Sequence, residues 1–399
     1  MTGFECLVCG KKHPPNYTGY TCKNCSGNLD LLYNYKDIKS IFSVSDLKNN
    51  SQKNVWRYHP LFPFKDLEFV PPLDMSLTPL YDSEYIAGET GIEKVYLKDD
   101  TRLPSASFKD RASSVVMAVA REKGVEVVSC ASTGNAGCSW ACMGAASGVE
   151  VIIYVPESAP RAKIAQLGVY GADVRLVSGT YDEAYDICVE DSLENNYFNR
   201  CTGYNPFTRE GKKSVSFEIW EQLNYRSPGS VIVPVGDGNI ISGVWKGFRD
   251  LKQLDLIEKM PKIIAVQSAN SDAITRTLEK IEDKNISPRD IKLEIVKAST
   301  VADSIAVDEP RDGIAAVRSV LETAGRAVRV TDEEIIENIS YLAENTGIFA
   351  EPAGVTSVAG LRKLAGEEEG KVMETLSPAV CLLTGNGLKD VDAVLKDNE

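Results

Sequence analysis

The chain has 399 residues, with 44 Lys and Arg against 57 Asp and Glu, a formal net charge of −13 and a hydrophobic fraction of 43%. That length supports two or three domains around a sizeable core, and the composition is that of a soluble globular protein. The acidic balance argues against nucleic acid as a partner, no apolar run reaches membrane-spanning length, and the opening "MTGFECLVCG" lacks a charged-then-apolar leader, so the expectation is a cytoplasmic protein with no membrane partner.

The first pattern along the chain is made of cysteines. The segment "CLVCGKKHPPNYTGYTCKNC" sets Cys6 and Cys9 as one C-x2-C pair and Cys22 and Cys25 as a second, with twelve residues between the pairs. Gly10 and Ser26-Gly27 follow the pairs and permit the tight turns that aim two thiolates at one ion. Four soft ligands close a tetrahedral shell, which points to structural zinc; reduced thiols in a metal-free lobe are the alternative. His13, between the pairs, reads as a surface residue rather than a ligand. Cys130, Cys138, Cys142, Cys188, Cys201 and Cys381 fall singly in apolar stretches and read as small core residues, including Cys138 and Cys142 four apart on one predicted helix.

Next comes "LPSASFKDRAS", residues 103–113, running into the apolar "VVMAVA". Ser107 and Asp110 resemble a capping box that starts a helix near Phe108. Lys109 then lies in the first turn, against the helix dipole, where a neutral amine costs less than a charged one. On composition alone it still reads as a solvated charge.

Strand-like runs follow at 125–131, 149–155, 172–177, 230–236, 262–267 and 379–385, rich in Val and Ile and several without alternation, as expected of parallel strands covered on both faces. Helical patterns such as "PRAKIAQLGVYG" and "EEIIENISYLAENTG" lie between them, so right-handed crossovers and an α/β fold are expected. The charge-rich "LAGEEEGKVMET" reads as a solvated turn. Three strand ends carry loops that should open on one side of the sheets: "STGNAG", "GDGNIISG" and "TGNGLKD". In the second, Gly236 and Gly238 let backbone N–H groups converge at a helix start, an anion site or a plain turn. The spacing to Gly243 does not fit a dinucleotide fingerprint, and no nucleotide-binding Gly-Lys-Ser/Thr follows.

Taken in order, "SASFKDRAS", "CASTGNAG", "PVGDGNIISG" and "LLTGNGLKD" resemble the pyridoxal-phosphate enzymes of fold type II, most closely the threonine synthase group, and the cysteine knuckles, "SAPRAKIAQLGVYGADV" and "FAEPAG" extend the resemblance over nearly the whole chain. The resemblance implies two open, twisted, mainly parallel-sheet domains with a cofactor cleft between them, plus the zinc-ribbon-like lobe. The lobe would occupy 1–36, the large domain 37–96 and 204–399, and the small mobile domain 97–203. Lys109 would hold the cofactor aldehyde as a Schiff base and then move protons on the substrate. Asn135 would bond the cofactor's ring oxygen. Ser132, Thr133 and Gly134 would receive the substrate carboxylate. Gly236, Asp237, Gly238, Asn239 and Ile240 would wrap the cofactor phosphate, with the Asp237 carboxylate turned away. Thr384 would face the pyridine nitrogen, and a neutral hydroxyl there favours elimination and replacement over transamination.

The implied reaction converts O-phospho-L-homoserine and water to L-threonine and phosphate, on a small-molecule amino-acid substrate and in a homodimer. It needs a second anion site, for which "YNPFTREGKKS" offers Asn205, Arg209, Lys212, Lys213 and Ser214; a basic solvated loop is the other reading. This sequence departs from the family pattern there, with Thr208 where an arginine is expected and Lys212 for a glutamine, and again before the lysine, with Leu103 for Asn and Ala106 for Gly. These changes touch substrate recognition. A paralogous lyase or β-replacement enzyme (cysteate-synthase-like on O-phosphoserine, or a serine, threonine or diaminopropionate lyase) and a non-catalytic effector-binding relative are the alternatives.

Overall fold

The computed structural model describes residues 1–367 and 371–395. Strands β1 (Gly3–Cys6), β2 (Lys12–His13) and β3 (Leu29–Leu32) form a small antiparallel sheet in the order β2-β1-β3, which carries the cysteine knuckles. Strands β4 (Leu80–Asp82) and β5 (Val95–Asp99) follow. Then β6 (Val127–Ala131), β7 (Glu150–Pro156), β8 (Asp173–Val177) and β9 (Phe198–Asn199) build a parallel sheet in the order β8-β7-β6-β9. The last four, β10 (Ser230–Pro234), β11 (Lys262–Ser268), β12 (Arg326–Val330) and β13 (Ala379–Leu383), join β5 and β4 in the order β12-β11-β10-β13-β5-β4. That sheet is parallel except for its edge strand β4.

All six expected strands are present. Every residue of β10 and β13 is buried, because helices cover both faces, and such strands read as unbroken apolar runs. Successive side chains serve opposite cores: Val231 and Val233 belong to one apolar cluster and Ile232 to the other. Helix ends follow local chemistry where it is present. Thr331 and Glu334 form a capping box before the helix Asp332–Thr346, and Gly347, at φ 72°, closes it.

Three expectations need correction. The helix Lys109–Glu122 starts after Phe108 but without the Ser107–Asp110 box. Asp110 instead accepts from the Ser105 N–H and hydroxyl, at 2.6 and 2.5 Å, and the buried Ser107 hydroxyl has no partner. His13 is not a surface residue: it is 4% exposed, stacked on Tyr17, with Nε2 3.4 Å from Cys22 Sγ. The boundary expected near residue 97 falls inside β5, whose pairing with β13 keeps Val95–Asp99 in the large sheet. The strands β4, β5, β9 and β12 were not expected, being short or interrupted by charge. The charge-rich patch at 364–375 lies partly outside the described residues.

Candidate active site

Lys109 is placed by its flanks. The Phe108 N–H donates to the Thr384 carbonyl at 2.9 Å, Ser107 bridges to Gly385, and the Asn386 N–H donates to the Ala106 carbonyl at 3.1 Å. The segment before the lysine is thereby sewn onto the loop after β13. Ala106 adopts φ 60°, a left-handed conformation that costs an L residue about 1–2 kcal/mol, so the local shape is held by its surroundings. On the other side Arg111 locks the first helical turn. Its Nε donates to Asp100 Oδ2 at 2.6 Å and its Nη1 to Ser214 Oγ at 3.0 Å, and the guanidinium also pairs with Glu218.

A cavity of about 470 Å³ opens beside Lys109. It is lined by Ser132, Thr133, Gly134 and Asn135 from the end of β6, by Gly236 to Ile241 from the end of β10, and by Thr384 from the end of β13. Three strand tips thus converge, as parallel topology demands. Lys212, Glu351, Ser304, Tyr181 and Arg311 also line it.

Two helices begin at this cavity without a side-chain cap, Asn135–Ser147 after Gly134 and Asn239–Gln253 after Gly238. The first N–H groups of a helix have no partner within it, so both starts offer donors and positive dipole ends to an anion. Gly238 is needed twice over. Its φ is 86°, and a Cβ there would lie 2.8 Å from the Ala316 Cβ. At Gly236 a Cβ would meet the Ile305 Cα at 2.8 Å.

The charges in this wall are arranged to be suppressed. Burial pushes the Lys109 amine down and the Arg200 cation adds to it, against Glu351 and Asp237. Burial likewise drives Lys212 well down, helped by Lys109 and Arg200. Burial raises the Glu351 and Asp237 carboxyls, each opposed by Lys109. Neither Lys109, Lys212 nor Arg200 forms an ion pair among the described residues. Arg200 donates instead to the Ser113 and Thr202 hydroxyls.

Asn135 Nδ2 is held by Glu351, at 2.8 and 3.0 Å to its two oxygens, with Ser304 Oγ at 3.4 Å. Asp237 Oδ1 accepts the Arg311 N–H at 3.3 Å. The Asn239 amide donates to Asp312 Oδ2 at 2.7 Å and accepts from Lys212, so Asn239 offers the cavity its backbone rather than its side chain.

Asn205, Arg209 and Lys213 are not brought to the cavity. Asn205 bridges the Asn199 carbonyl and the Phe207 N–H. Arg209 forks onto both oxygens of Asp312 at 2.6 and 2.8 Å. Lys213 is paired with Glu210 at 2.6 Å and Asp250 at 2.7 Å. Ser214 takes a bond from Arg111. Glu351 was missed as a site residue, although "FAEPAG" was its visible signal; Ser304 and Arg311 had no local signal.

The donor set at the cavity fits pyridoxal phosphate: a half-buried amine of lowered basicity, two uncapped helix starts for anions, a neutral hydroxyl-bearing residue in Thr384, and a volume within the usual range for small-ligand sites. The lobe fits a metal. The Cys6, Cys9, Cys22 and Cys25 sulfurs all lie within 4.8 Å of one another, with Cys6–Cys25 at 3.5 Å and Cys9–Cys22 at 3.7 Å. A tetrahedral ion with bonds of about 2.3 Å to sulfur has edges of about 3.8 Å.

Residues 73–385 match the family model described as pyridoxal-phosphate dependent enzyme. The chain is 38% identical over 396 residues to a threonine synthase from Methanocaldococcus jannaschii, covering 99% of this chain and 95% of that protein. It is 34% identical to a threonine synthase from Methanosarcina acetivorans, covering 99% and 94%. Among solved structures it is similar in fold to maize serine racemase (TM-score 0.68, 19% identity, 80% of this chain and 91% of that one) and to diaminopropionate ammonia lyase from Escherichia coli (TM-score 0.68, 17% identity, 90% and 93%).

Proposed function

The chain belongs to the pyridoxal-phosphate dependent enzymes, and on that premise we propose that it is a threonine synthase, converting O-phospho-L-homoserine and water to L-threonine and phosphate. The observation that carries the reading is the Lys109 amine, half-buried without an ion pair on the wall of a cavity where three strand tips meet. Similarity to threonine synthases along the full length supports the choice of reaction.

Pyridoxal phosphate, when bound, supplies an electron sink for charge developing on the carbons of an amino acid. Lys109 would hold it through Nζ, Asn135 would contact its ring, and the turn from Gly236 to Ile240 would hold its phosphate. Desolvation lowers the basicity of Lys109 Nζ, so it gives up a proton more readily than a solvated lysine and can pass it to and from the substrate. Ser132, Thr133 and Gly134, at the second uncapped helix start, orient the substrate carboxylate. Thr384 offers an uncharged hydroxyl, which cannot enforce protonation of a ring nitrogen. The walls from the two sheets exclude water until it is wanted.

The same reading includes structural zinc on Cys6, Cys9, Cys22 and Cys25, a lobe over 1–36, a small mobile domain that begins after β5 and runs to about residue 203, and a large domain that keeps β5. It also includes a homodimer, a small-molecule substrate only, and a cytoplasmic setting. None of the ten cysteines is joined in a disulfide, which suits a reducing compartment. No helix among the described residues is long and apolar enough to cross a membrane.

The test is turnover of the purified chain with O-phospho-L-homoserine, in which phosphate and L-threonine should appear in equal amounts. No threonine, with turnover of O-phosphoserine and sulfite, replaces the reading with a β-replacement enzyme. No turnover and no visible absorbance from a bound cofactor leaves an effector-binding relative.

A further inference from the structure

Lys212 is the last residue of the helix Phe207–Lys212 and is fully buried, yet it lines the cavity. Its stem crosses the helix Asn239–Gln253 where that helix has no side chain: a Cβ on Gly243 would lie 2.6 Å from the Lys212 Cβ. The ammonium reaches Asn239 Oδ1 at 2.5 Å. The Asn239 amide is oriented by Asp312, which takes its Nδ2, so Lys212 meets a neutral carbonyl and no carboxylate. Lys213, the next residue, has two carboxylates. A buried cation with one neutral partner, beside the uncapped start of a helix, lacks an anion.

We propose that Lys212 is a phosphate-monoester ligand, its ammonium acting with the first N–H groups of the helix Asn239–Gln253 to receive the dianionic phosphate of a molecule in the cavity. The inference rests on the reading of that cavity as the pyridoxal-phosphate site, and it deepens it by supplying a buried positive side chain, without a carboxylate partner, at the phosphate turn. The depressed basicity of Lys212, from burial first and then from Lys109 and Arg200, agrees with a group awaiting a counter-charge. The phosphate belongs either to the cofactor or to a phosphorylated amino acid, and the two sources are separable.

The experiment uses the full-length chain stripped of cofactor, as wild type, Lys212→Gln and Lys212→Arg. Each is titrated with pyridoxal phosphate, with pyridoxal, and with inorganic phosphate alone by calorimetry. Loss of one charge-assisted contact should weaken inorganic phosphate by roughly 10-fold or more in Lys212→Gln, with part recovered in Lys212→Arg. If the cofactor is the source, pyridoxal phosphate weakens to the same degree and pyridoxal stays within about 2-fold. If the substrate is the source, both cofactor forms bind as in wild type and the KM for the phosphorylated amino acid rises roughly 10-fold. The inorganic-phosphate arm decides the point even if no cofactor binds. Equal losses for pyridoxal and pyridoxal phosphate, or unchanged phosphate affinity and KM in a normally melting variant, would overturn the proposal. Should Lys212→Gln not fold, Asn239→Asp gives Lys212 a carboxylate and must also weaken inorganic phosphate; unchanged affinity there rejects the assignment.

Discussion

Lys109 and Arg111 lie two residues apart on one helix, and their surroundings differ in kind. Arg111 is matched by Asp100 and Glu218, with Lys98 sharing Glu218 at 2.7 Å. A second belt, Arg209, Lys213 and Lys246 against Asp30, Glu210, Asp250 and Asp312, is matched in the same way. Lys109, Lys212 and Arg200 are buried or half-buried with hydroxyl or amide partners at most. Burying a charge costs several kcal/mol unless a partner returns it. Matched cations are therefore architecture, and the unmatched ones are held ready for something that arrives. Residue type and depth do not separate the two classes; the partners do.

The largest effect that would sharpen this contrast is on catalysis. Lys109→Ala should lower turnover by about 10³-fold or more, since proton transfer by a positioned base and covalent attachment are lost together. The visible absorbance of bound cofactor should go with it, while the melting temperature stays level or rises, because an unmatched amine contributes no ion pair. A large fall in melting temperature with activity retained would erase the distinction.

The complementary change is Lys213→Met in the matched belt. It leaves Asp250 buried without its ion-pair partner and Glu210 with Lys246 alone, and should cost about 3–5 kcal/mol in denaturant unfolding, with the KM of folded enzyme within about 2-fold. A raised KM at normal stability would return Lys213 to the site.

Acid separates the regions a second way. Burial alone would raise the Glu218 carboxyl, but Arg111 and Lys98 outweigh it and hold it at about 2. A carboxyl held low stabilises the fold above its unfolded value, near 4, and that stability is lost as pH falls from about 4 toward 2. In the cavity the sign reverses, because Glu351 and Asp237 are raised. Glu218→Gln should therefore be less stable at neutral pH yet show a shallower acid limb. An acid limb as steep as that of wild type would place the sensitivity elsewhere.

This pattern also explains what could be read from the sequence. The parallel strands and the strand-tip loops were legible because buried runs such as "SVIVP" and glycine turns are local signals. Lys109, Asn135, Thr384 and the glycine turn were legible through motifs that carry their context with them. Arg209 and Lys213 were nominated for an anion because a basic run looks like a site, but Asp312 and Asp250 neutralise them from 103 and 37 residues away. Lys212 sits in the same run and differs only in facing Asn239. The capping box at Ser107 failed for a related reason: the helix start is fixed by backbone pairing to Gly385, far along the chain, and Asp110 is claimed by Ser105.

The smallest effect concerns matched cations that are not buried. Arg311, from the loop beside Gly238, pairs with Asp182 at 2.7 Å, and Lys163 pairs with Asp303; both pairs link the helices of the four-stranded sheet to segments of the large one at the cavity rim. Their side chains are 27% to 62% exposed, so water already screens them. Exposed pairs of this kind contribute about 0–1 kcal/mol. Arg311→Ala should thus shift the melting temperature by no more than a few degrees. Because the pair spans the two units, its loss should appear instead as a modestly raised KM, by about 2- to 5-fold, at unchanged turnover, and high salt should reproduce that rise in wild type but add nothing in the variant. If Arg311→Ala instead lowered turnover by orders of magnitude, exposure would not be the discount it is taken to be, and Arg311 would join the unmatched set.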